Sequence, residues 1–279
     1  CSEILLPLRP DESFVCCLSS YNVATYEEWK NNPDVVHTLI WFLDAVMEDF
    51  IDGAKDIPFM ERPVKFARQH RAVGAGALGW HSYLQSQGIA IESLQAMGKN
   101  EQIFSYLGEE TKAASKELGD ILGPAPVADK QRNTTPLAVA PTKSSSFILG
   151  QVSPSIEPLK SNYYVRDTAK LKETYRNPYL QQELRKRDMD TRETWKSIMM
   201  KDGSVQHLDL PQDVLDTFKT FSEISQAVIV KQAAQRQKHI DQGQSLNLTI
   251  DPENVSTKDI NKLYFDAWEQ GVCALYYQH

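Results

Sequence analysis

The sequence is poor in long apolar runs, in positive charge and in cysteine. No apolar stretch approaches the roughly 18 residues that a membrane-spanning helix needs, and no signal peptide is visible. The formal net charge of -7 argues against a protein that binds the phosphate backbone of a nucleic acid. Four cysteines among 279 residues are too few for a disulfide scaffold. We therefore expect a cytoplasmic protein with reduced thiols and with neither a membrane nor a nucleic acid as partner.

Patterns for metals and dinucleotides are also missing or incomplete. The six histidines form no H-x-x-x-H pair and the cysteines form no C-x-x-C pair, so no metal site is predicted. Gly74, Gly76 and Gly79 spell G-x-G-x-x-G, but charged residues at 65–71 stand where that fingerprint needs an apolar strand. We interpret these glycines as positions of close packing at the start of a helix.

Apolar residues make up 41% of the sequence, which is enough for a sizeable core. Apolar periodicity predicts helices over 33–54, 80–87, 100–122, 222–242 and 257–270. It also predicts a buried strand over 137–140, an alternating strand over 246–250 and an apolar strand over 272–277. The last two strands and the helix between them form a βαβ unit, which predicts parallel strands. Residues 160–222 are polar, and their charge-dense part up to 210 predicts a pair of solvated surface helices.

Cysteines close to a carboxylate suggest redox chemistry. Cys1 lies two residues before Glu3, and Cys16 and Cys17 follow. In an extended segment the adjacent pair points to opposite faces, so at most one of the two can face a given site. Cys273 lies in an apolar run, which predicts a core position.

A hydroxyl-rich turn, residues 141–146, follows the predicted strand at 137–140 and precedes an apolar run. Four hydroxyls and free backbone N–H groups at a helix N-terminus can hold a phosphate. The alternative is an ordinary Ser/Thr helix cap, which would use one hydroxyl. Tyr276 and Tyr277 end the last predicted strand, where alternation alone would place one ring inside and one outside.

Seven stretches, in this order along the chain, resemble the large, catalytic subunit of class I ribonucleotide reductase, most closely its phage-type form. They are CSEI at 1–4, FVCCLS at 14–19, RAVGAG at 71–76, APTKSSS at 140–146, SIEP at 155–158, IDQGQSLN at 240–247 and ALYYQ at 274–278. The resemblance implies the C-terminal half of a ten-stranded α/β barrel, filling residues 1–279.

The resemblance also implies roles for individual residues. Cys1 would carry the thiyl radical, Glu3 would act as the general base, and Cys16 would be one of two cysteines that deliver the reducing electrons. The diphosphate-binding turn would comprise Thr142, Lys143, Ser144, Ser145 and Ser146. Tyr276 and Tyr277 would relay the radical to Cys1.

The family's partners follow from the same resemblance. They would be a ribonucleoside diphosphate, the N-terminal half of the large subunit, a radical-generating small subunit, and thioredoxin or glutaredoxin as reductant. This chain would bind no cofactor, and the small subunit would carry a di-iron tyrosyl radical. We expect the regulatory domain, the first barrel half and the redox tail to lie outside this chain, separated by a split gene or by self-splicing elements. A catalytically inert remnant that serves only in assembly or binding is the alternative function.

Overall fold

Five extended segments lie side by side in the order in which they occur along the sequence. The computed structural model describes residues 2–168, 171–251, 253 and 255–278. Strand β1 (Cys17–Asn22) pairs in parallel with β2 (Val73–Leu78). Parallel bridges continue this order beyond β2, joining Ala75 to Leu137, Val139 to Gln244 and Leu248 to Gln278. The strand predicted at 137–140 and the parallel order of the last two predicted strands are confirmed, but the last segment pairs at 276–278 rather than over 272–277.

Eleven helices in the described residues connect and cover these segments. They are α1 (Tyr26–Trp29), α2 (Asp34–Ala54), α3 (Glu61–His70), α4 (Trp80–Ser86), α5 (Leu94–Leu122), α6 (Lys143–Ile148), α7 (Pro178–Arg185), α8 (Arg192–Met200), α9 (Gln212–Thr217), α10 (Gln226–Gln237) and α11 (Thr257–Glu269). Short 3-10 turns occupy Val23–Thr25 and Phe221–Glu223. None of these helices combines the length and the apolar composition that crossing a bilayer requires.

Two helices differ in length from their predictions for identifiable reasons. Helix α5 begins six residues earlier than predicted, because the Ser93 hydroxyl accepts a hydrogen bond from the Ala96 N–H and caps the helix there. Helix α10 is shorter than predicted. Its C-terminal end gives way to an extended segment because Gln242 N–H bonds to Leu137 O at 3.1 Å and Val139 N–H bonds to Gly243 O at 3.0 Å.

The glycines of the G-x-G-x-x-G pattern serve close packing, as predicted, but two of them do so on a strand. A Cβ on Gly74 would lie 2.4 Å from a methyl of Leu18, and one on Gly76 would lie 2.7 Å from Ala138 O. Both therefore let neighbouring strands approach β2. Gly79, with φ of +82°, is the one that precedes a helix, α4.

The main core lies between the extended segments and helices α2, α4, α5 and α10. Ile40, Trp80 and Phe104 are buried there. Arg236 is buried too, with its guanidinium carbon 5.2 Å from the Phe104 ring centroid and its Nε donating to Asn100 Oδ1 at 2.8 Å. Burial lowers the pKa of Arg236 to about 9.

Residues 160–222 differ from the predicted pair of solvated helices. Strands β3 (Tyr163–Thr168) and β4 (Leu171–Arg176) form an antiparallel hairpin, and α7 to α9 follow it. These helices bury a second core that includes Leu180, Leu184 and Trp195. The prediction failed because the exposed charged residues Arg185 and Lys186, at and just after the end of α7, masked the apolar i, i+4 spacing of the two leucines.

The structure also differs from the prediction at Cys273, near the end of the chain. The apolar run at 272–277 predicted a core cysteine, but the side chain is exposed. Its neighbour Val272 is the buried residue. A short apolar run does not reveal which of its alternating positions faces the core.

Candidate active site

Glu3 lies deep in the structure, near the start of the segment that leads to β1. Its side chain is 1% exposed, and the Ser245 hydroxyl donates a hydrogen bond to its carboxylate. Gly243 N–H donates to Glu3 O at 2.8 Å, and a Cβ on Gly243 would lie only 3.0 Å from Ser2 O. The loop at 243–245 therefore fixes both the backbone and the carboxylate of Glu3. Cys1, the predicted radical residue, lies outside the described residues.

Cys16 faces the same region as Glu3. Its Sγ lies 3.7 Å from Nε2 of Gln242, and a Cβ on Gly74 would lie 3.3 Å from that sulfur. The pKa of the Cys16 thiol is raised to about 12, mainly by burial. The Gln242 hydrogen bond opposes this rise, and the neighbouring Cys17 and the charge of Glu3 add to it. Gln242, which directly precedes the loop that holds Glu3, thus brings Cys16 next to that loop.

Cys17 points the other way, as predicted for neighbours in an extended segment. It packs against an apolar cluster that includes Met47 and Val64. Burial raises the pKa of the Cys17 thiol, which the Arg71 charge opposes. Of the two thiols, Cys16 is the one on the side of Glu3.

The turn before α6 has the predicted strand-to-helix position. Thr142, with φ of +49°, precedes the helix, and its side chain does not cap the backbone of α6. Its hydroxyl instead accepts from Ser155 N–H at 2.7 Å and lies 2.9 Å from the hydroxyl of Ser146. The ordinary capping alternative is therefore not what the structure shows at Thr142. The first-turn N–H groups of α6 have no partner within the helix.

The hydroxyls of the turn are divided between two environments. Ser146 is buried, whereas Lys143, Ser144 and Ser145 are exposed. A cavity of about 340 Å³ lies against the turn, lined among others by Leu18, Ser20, Ala140, Thr142, Ser145 and Leu149. Leu18 is two residues beyond Cys16, so this cavity extends from the turn to the strand that follows the thiol.

Tyr276 and Tyr277 are side by side rather than on opposite faces. Their ring centroids are 4.0 Å apart, with 40° between the ring planes. Tyr276 N–H bonds to Leu246 O at 2.8 Å, which anchors the pair beside the loop that holds Glu3. A hydrogen bond with Tyr277 raises the pKa of Tyr276, and the charge of Glu3 adds to that effect.

Sequence reasoning assigned no role to four polar residues that organise this region: Gln242, Ser245, Asn247 and Glu157. Asn247 accepts from Tyr277 N–H at 3.0 Å through Oδ1 and donates to Glu157 at 2.5 Å through Nδ2. Burial raises the pKa of Glu157. All four lie within the stretches 155–158 and 240–247, and all four are buried. Buried polar residues usually have hydrogen-bond partners, so the polar residues of these two stretches were the signal that could have indicated them.

No group of three or more His, Cys, Asp or Glu side chains in the described ranges is placed to hold a metal ion.

Comparison with known proteins agrees with this architecture. The family model of the ribonucleotide reductase barrel domain matches residues 1–132 and 128–278. The ribonucleoside-diphosphate reductase large subunit of Invertebrate iridescent virus 3 is 42% identical over 284 residues, covering 99% of this chain and 44% of that protein. The large subunit of Invertebrate iridescent virus 6 is 38% identical, covering 99% of this chain and 29% of that protein.

A solved structure gives the same result for the fold. The class Id ribonucleotide reductase alpha subunit of Actinobacillus ureae matches with a TM-score of 0.95 and 51% identity, covering 100% of this chain and 52% of that chain.

The parallel order of the five segments and the match to that structure define an α/β barrel fold, and this chain covers about half of that alpha subunit. The chain belongs to the ribonucleotide reductase barrel-domain family. The predicted resemblance and fold class are confirmed. The chain spans between 29% and 44% of the length of the two viral relatives.

Proposed function

We propose that this chain forms part of the active site of a ribonucleoside-diphosphate reductase, which reduces ribonucleotides to deoxyribonucleotides for DNA synthesis. The observation that carries the proposal is that one loop, residues 242–246, contacts a carboxylate, a thiol and a tyrosine pair from distant parts of the sequence. The Ser245 hydroxyl donates to the Glu3 carboxylate, Nε2 of Gln242 lies 3.7 Å from Sγ of Cys16, and Leu246 O accepts from Tyr276 N–H at 2.8 Å.

In the proposed reaction, Cys1 carries a thiyl radical and abstracts hydrogen from the 3′ carbon of the ribose. Glu3 takes the proton of the 3′-hydroxyl, a general-base role that needs a carboxylate held in one place. Cys16 and a second thiol lose two electrons and two protons and form a disulfide, while the 2′-hydroxyl leaves as water. One ribonucleotide and two thiols thus give one deoxyribonucleotide, one disulfide and one water.

The turn at 142–146 binds the substrate diphosphate in this proposal. The N–H groups in the first turn of α6 attract an anion, and the exposed hydroxyls of Ser144 and Ser145 can donate to phosphate oxygens. The Lys143 ammonium adds positive charge, and Thr142 and Ser146 maintain the shape of the turn through their mutual hydrogen bond. The cavity beside the turn leads toward β1 and so toward the reducing thiol.

Tyr276 and Tyr277 bring the radical to Cys1 from a small subunit, in which the resemblance implies a di-iron tyrosyl radical. The short distance between their rings suits electron transfer from one to the other. The remainder of the large subunit completes the barrel, and thioredoxin or glutaredoxin reduces the disulfide. This chain contributes side chains and no cofactor.

The test is an assay of the large subunit that contains this chain, together with the small subunit and a dithiol reductant. We expect conversion of ribonucleoside diphosphates to deoxyribonucleoside diphosphates, and we expect Cys16→Ser to abolish repeated turnover. An assembled wild-type complex that shows no reduction would instead support the inert remnant.

A further inference from the structure

We propose that Gln242 is a positioning residue for Cys16: its side-chain amide holds the thiol beside the Glu3 loop and donates a hydrogen bond that stabilises the sulfur when it is charged. Gln242 is 1% exposed, so its amide exchanges no hydrogen bonds with bulk water. The catalytic part of this inference depends on the proposed function, whereas the effect on the thiol does not.

The orientation of the Gln242 amide is determined by its neighbours. Oε1 accepts from Leu5 N–H at 3.2 Å, and a backbone N–H can only donate. Nε2 donates to Val73 O at 3.1 Å, and a carbonyl can only accept. The two contacts together allow one amide orientation, with the N–H groups on the side of Cys16. The sulfur, 3.7 Å from Nε2, therefore meets a donor.

One amide connects three parts of the site. Leu5 belongs to the segment that carries Glu3, Val73 begins β2, and Cys16 immediately precedes β1. The backbone of Gln242 is itself fixed, because its N–H bonds to Leu137 O at 3.1 Å. A side chain anchored in this way can hold the sulfur at a constant distance from the general base.

The Nε2 amide has two hydrogens and three acceptors within reach. Besides Val73 O and the Cys16 sulfur, the Thr135 hydroxyl lies at 3.2 Å. A thiolate is a stronger acceptor than a neutral hydroxyl, so a charged sulfur takes the shared hydrogen. When the sulfur is neutral or is part of a disulfide, Thr135 accepts it, and the buried amide is never left without a partner.

The Gln242 donor matters because the other groups around Cys16 disfavour the charged thiolate. Burial, the adjacent Cys17 and the Glu3 charge all raise the pKa of the thiol, and the Gln242 hydrogen bond is the contact that opposes them. Without the donor, the thiolate that takes part in thiol–disulfide chemistry would be scarcer still.

The experiment measures alkylation of Cys16 by iodoacetamide between pH 7 and 9 in the whole large subunit, with mass-spectrometric assignment of each cysteine. Gln242→Met keeps the length of the side chain but has no donor. We expect it to slow alkylation of Cys16 by about tenfold or more, the factor that a hydrogen bond to a charged group typically contributes. Gln242→Glu should slow it further, because it keeps an acceptor for Leu5 N–H but places a negative charge beside the sulfur.

Two controls separate this effect from a loss of structure. Cys17 faces the apolar cluster on the other side, so its alkylation should be unchanged in both variants. Gln244→Met is the matched variant: Gln244 is equally buried, but its Nε2 bonds to Ala233 O and Gln237 Oε1. It should leave Cys16 unaffected. Unchanged Cys16 alkylation in either Gln242 variant, or equal slowing of Cys16 and Cys17, would overturn the proposal.

The turnover assay distinguishes the two levels of inference. If the proposed function holds, Gln242→Met should lower kcat with little change in KM, because the diphosphate turn is untouched. If the wild-type assembly shows no turnover while the alkylation of Cys16 still depends on Gln242, the proposed function fails and the role of Gln242 toward the thiol stands.

Discussion

The adjacent residues Cys16 and Cys17 lie in different environments, one in the candidate site and the other in an apolar cluster. Cys16 faces Glu3 and Gln242, and Cys17 faces the cluster around Met47. Both thiols have pKa values raised by burial, so ionisation alone does not distinguish them. Orientation does, because successive side chains of an extended segment point to opposite faces.

We expect Cys16→Ser and Cys17→Ser to have opposite consequences. Serine cannot close a disulfide, so Cys16→Ser should abolish repeated turnover and leave the urea unfolding midpoint nearly unchanged. Cys17→Ser places a hydroxyl against apolar side chains and should cost about 1 kcal/mol of stability while turnover persists. Equal loss of turnover in both variants would mean that the choice of Cys16 is wrong.

Removing the Glu3 carboxylate should impair the chemistry and spare binding. Glu3→Ala is expected to lower kcat by roughly 10²–10⁴, the usual contribution of a positioned general base. KM should change little, because the carboxylate acts on a ribose hydroxyl and not on the diphosphate. Ser245→Ala serves as the comparison: it removes the hydrogen bond to Glu3 but leaves the carboxylate, so the loss of kcat should be smaller. A rise in KM at constant kcat for Glu3→Ala would assign it to binding instead.

At the scale of elements, the start of α6 should bind the diphosphate through exposed hydroxyls and backbone N–H groups together. Ser144→Ala and Ser145→Ala are each expected to weaken binding of a nucleoside diphosphate by roughly 1.5–3 kcal/mol, measured by calorimetry on the whole large subunit. Neither should eliminate binding, since the N–H groups remain. Ser146→Ala tests a different role, because its hydroxyl is bonded to Thr142 within the turn. Equal affinity of wild type for nucleosides and for nucleoside diphosphates would exclude this turn as the phosphate site.

The contact between α4 and the segment at residue 159 should make stability depend on pH. His81 is fully buried, and its Nδ1 accepts from Leu159 N–H at 2.9 Å. Burial lowers the pKa of His81 from 6.5 to about 3. Below pH 6.5 the unfolded chain binds a proton that the folded chain does not, so stability should fall with decreasing pH toward 3, by up to about 1.4 kcal/mol per pH unit.

The His81 effect can be isolated with one variant. His81→Asn can keep an acceptor for Leu159 N–H and has no titrating group. The difference in unfolding free energy between wild type and His81→Asn should shrink as the pH is lowered from 7 to 5. Burial also lowers the pKa of His70, but that residue titrates in both proteins and cancels in the comparison. Parallel pH profiles for the two proteins would contradict the assignment.

Sequence periodicity predicted well those helices whose faces and ends are determined by residues close in sequence. Helices α2, α4 and α11 agree with their predictions within about a residue at each end, because each has a clear apolar face and clear ends. The start of α5 was missed because it depends on one Ser93 capping bond, and the β3–β4 hairpin because its strands lie in a charge-dense stretch. These features depend on single contacts or on packing that periodicity does not encode.

At the scale of the whole molecule, the site comes from residues that lie far apart in sequence. Glu3 is held by Ser245, 242 positions away, and Gln242 reaches Cys16 across 226 positions. The hydroxyls at 142–146 indicated a phosphate-binding turn by themselves, but no local pattern could have joined these distant residues, so their roles in one site were predicted from the family resemblance. Even so, the resemblance assigned no function to Gln242 or Asn247, whose positions only the fold reveals.

The five-segment sheet has two edges among the described residues. Among the described residues, β1 pairs with β2 alone, and the segment at 276–278 bonds to the segment at 246–248. Unpaired strand edges readily accept further strands. The tyrosine pair lies in the outermost segment, so the predicted radical path enters this chain at one edge of its sheet.

That path gives a prediction for the whole assembly. Tyr276→Phe and Tyr277→Phe should each block turnover while leaving folding and substrate affinity nearly unchanged, because phenylalanine keeps the ring and its packing but has no O–H to lose. Tyr106→Phe is the matched control. It removes a buried hydroxyl that has no hydrogen-bond partner in the described part of the chain, and it should keep full turnover. A purely structural pair would behave in the opposite way, with activity retained in the Phe variants and stability lost on substitution by Ala. Substantial turnover in both Phe variants would therefore exclude the relay.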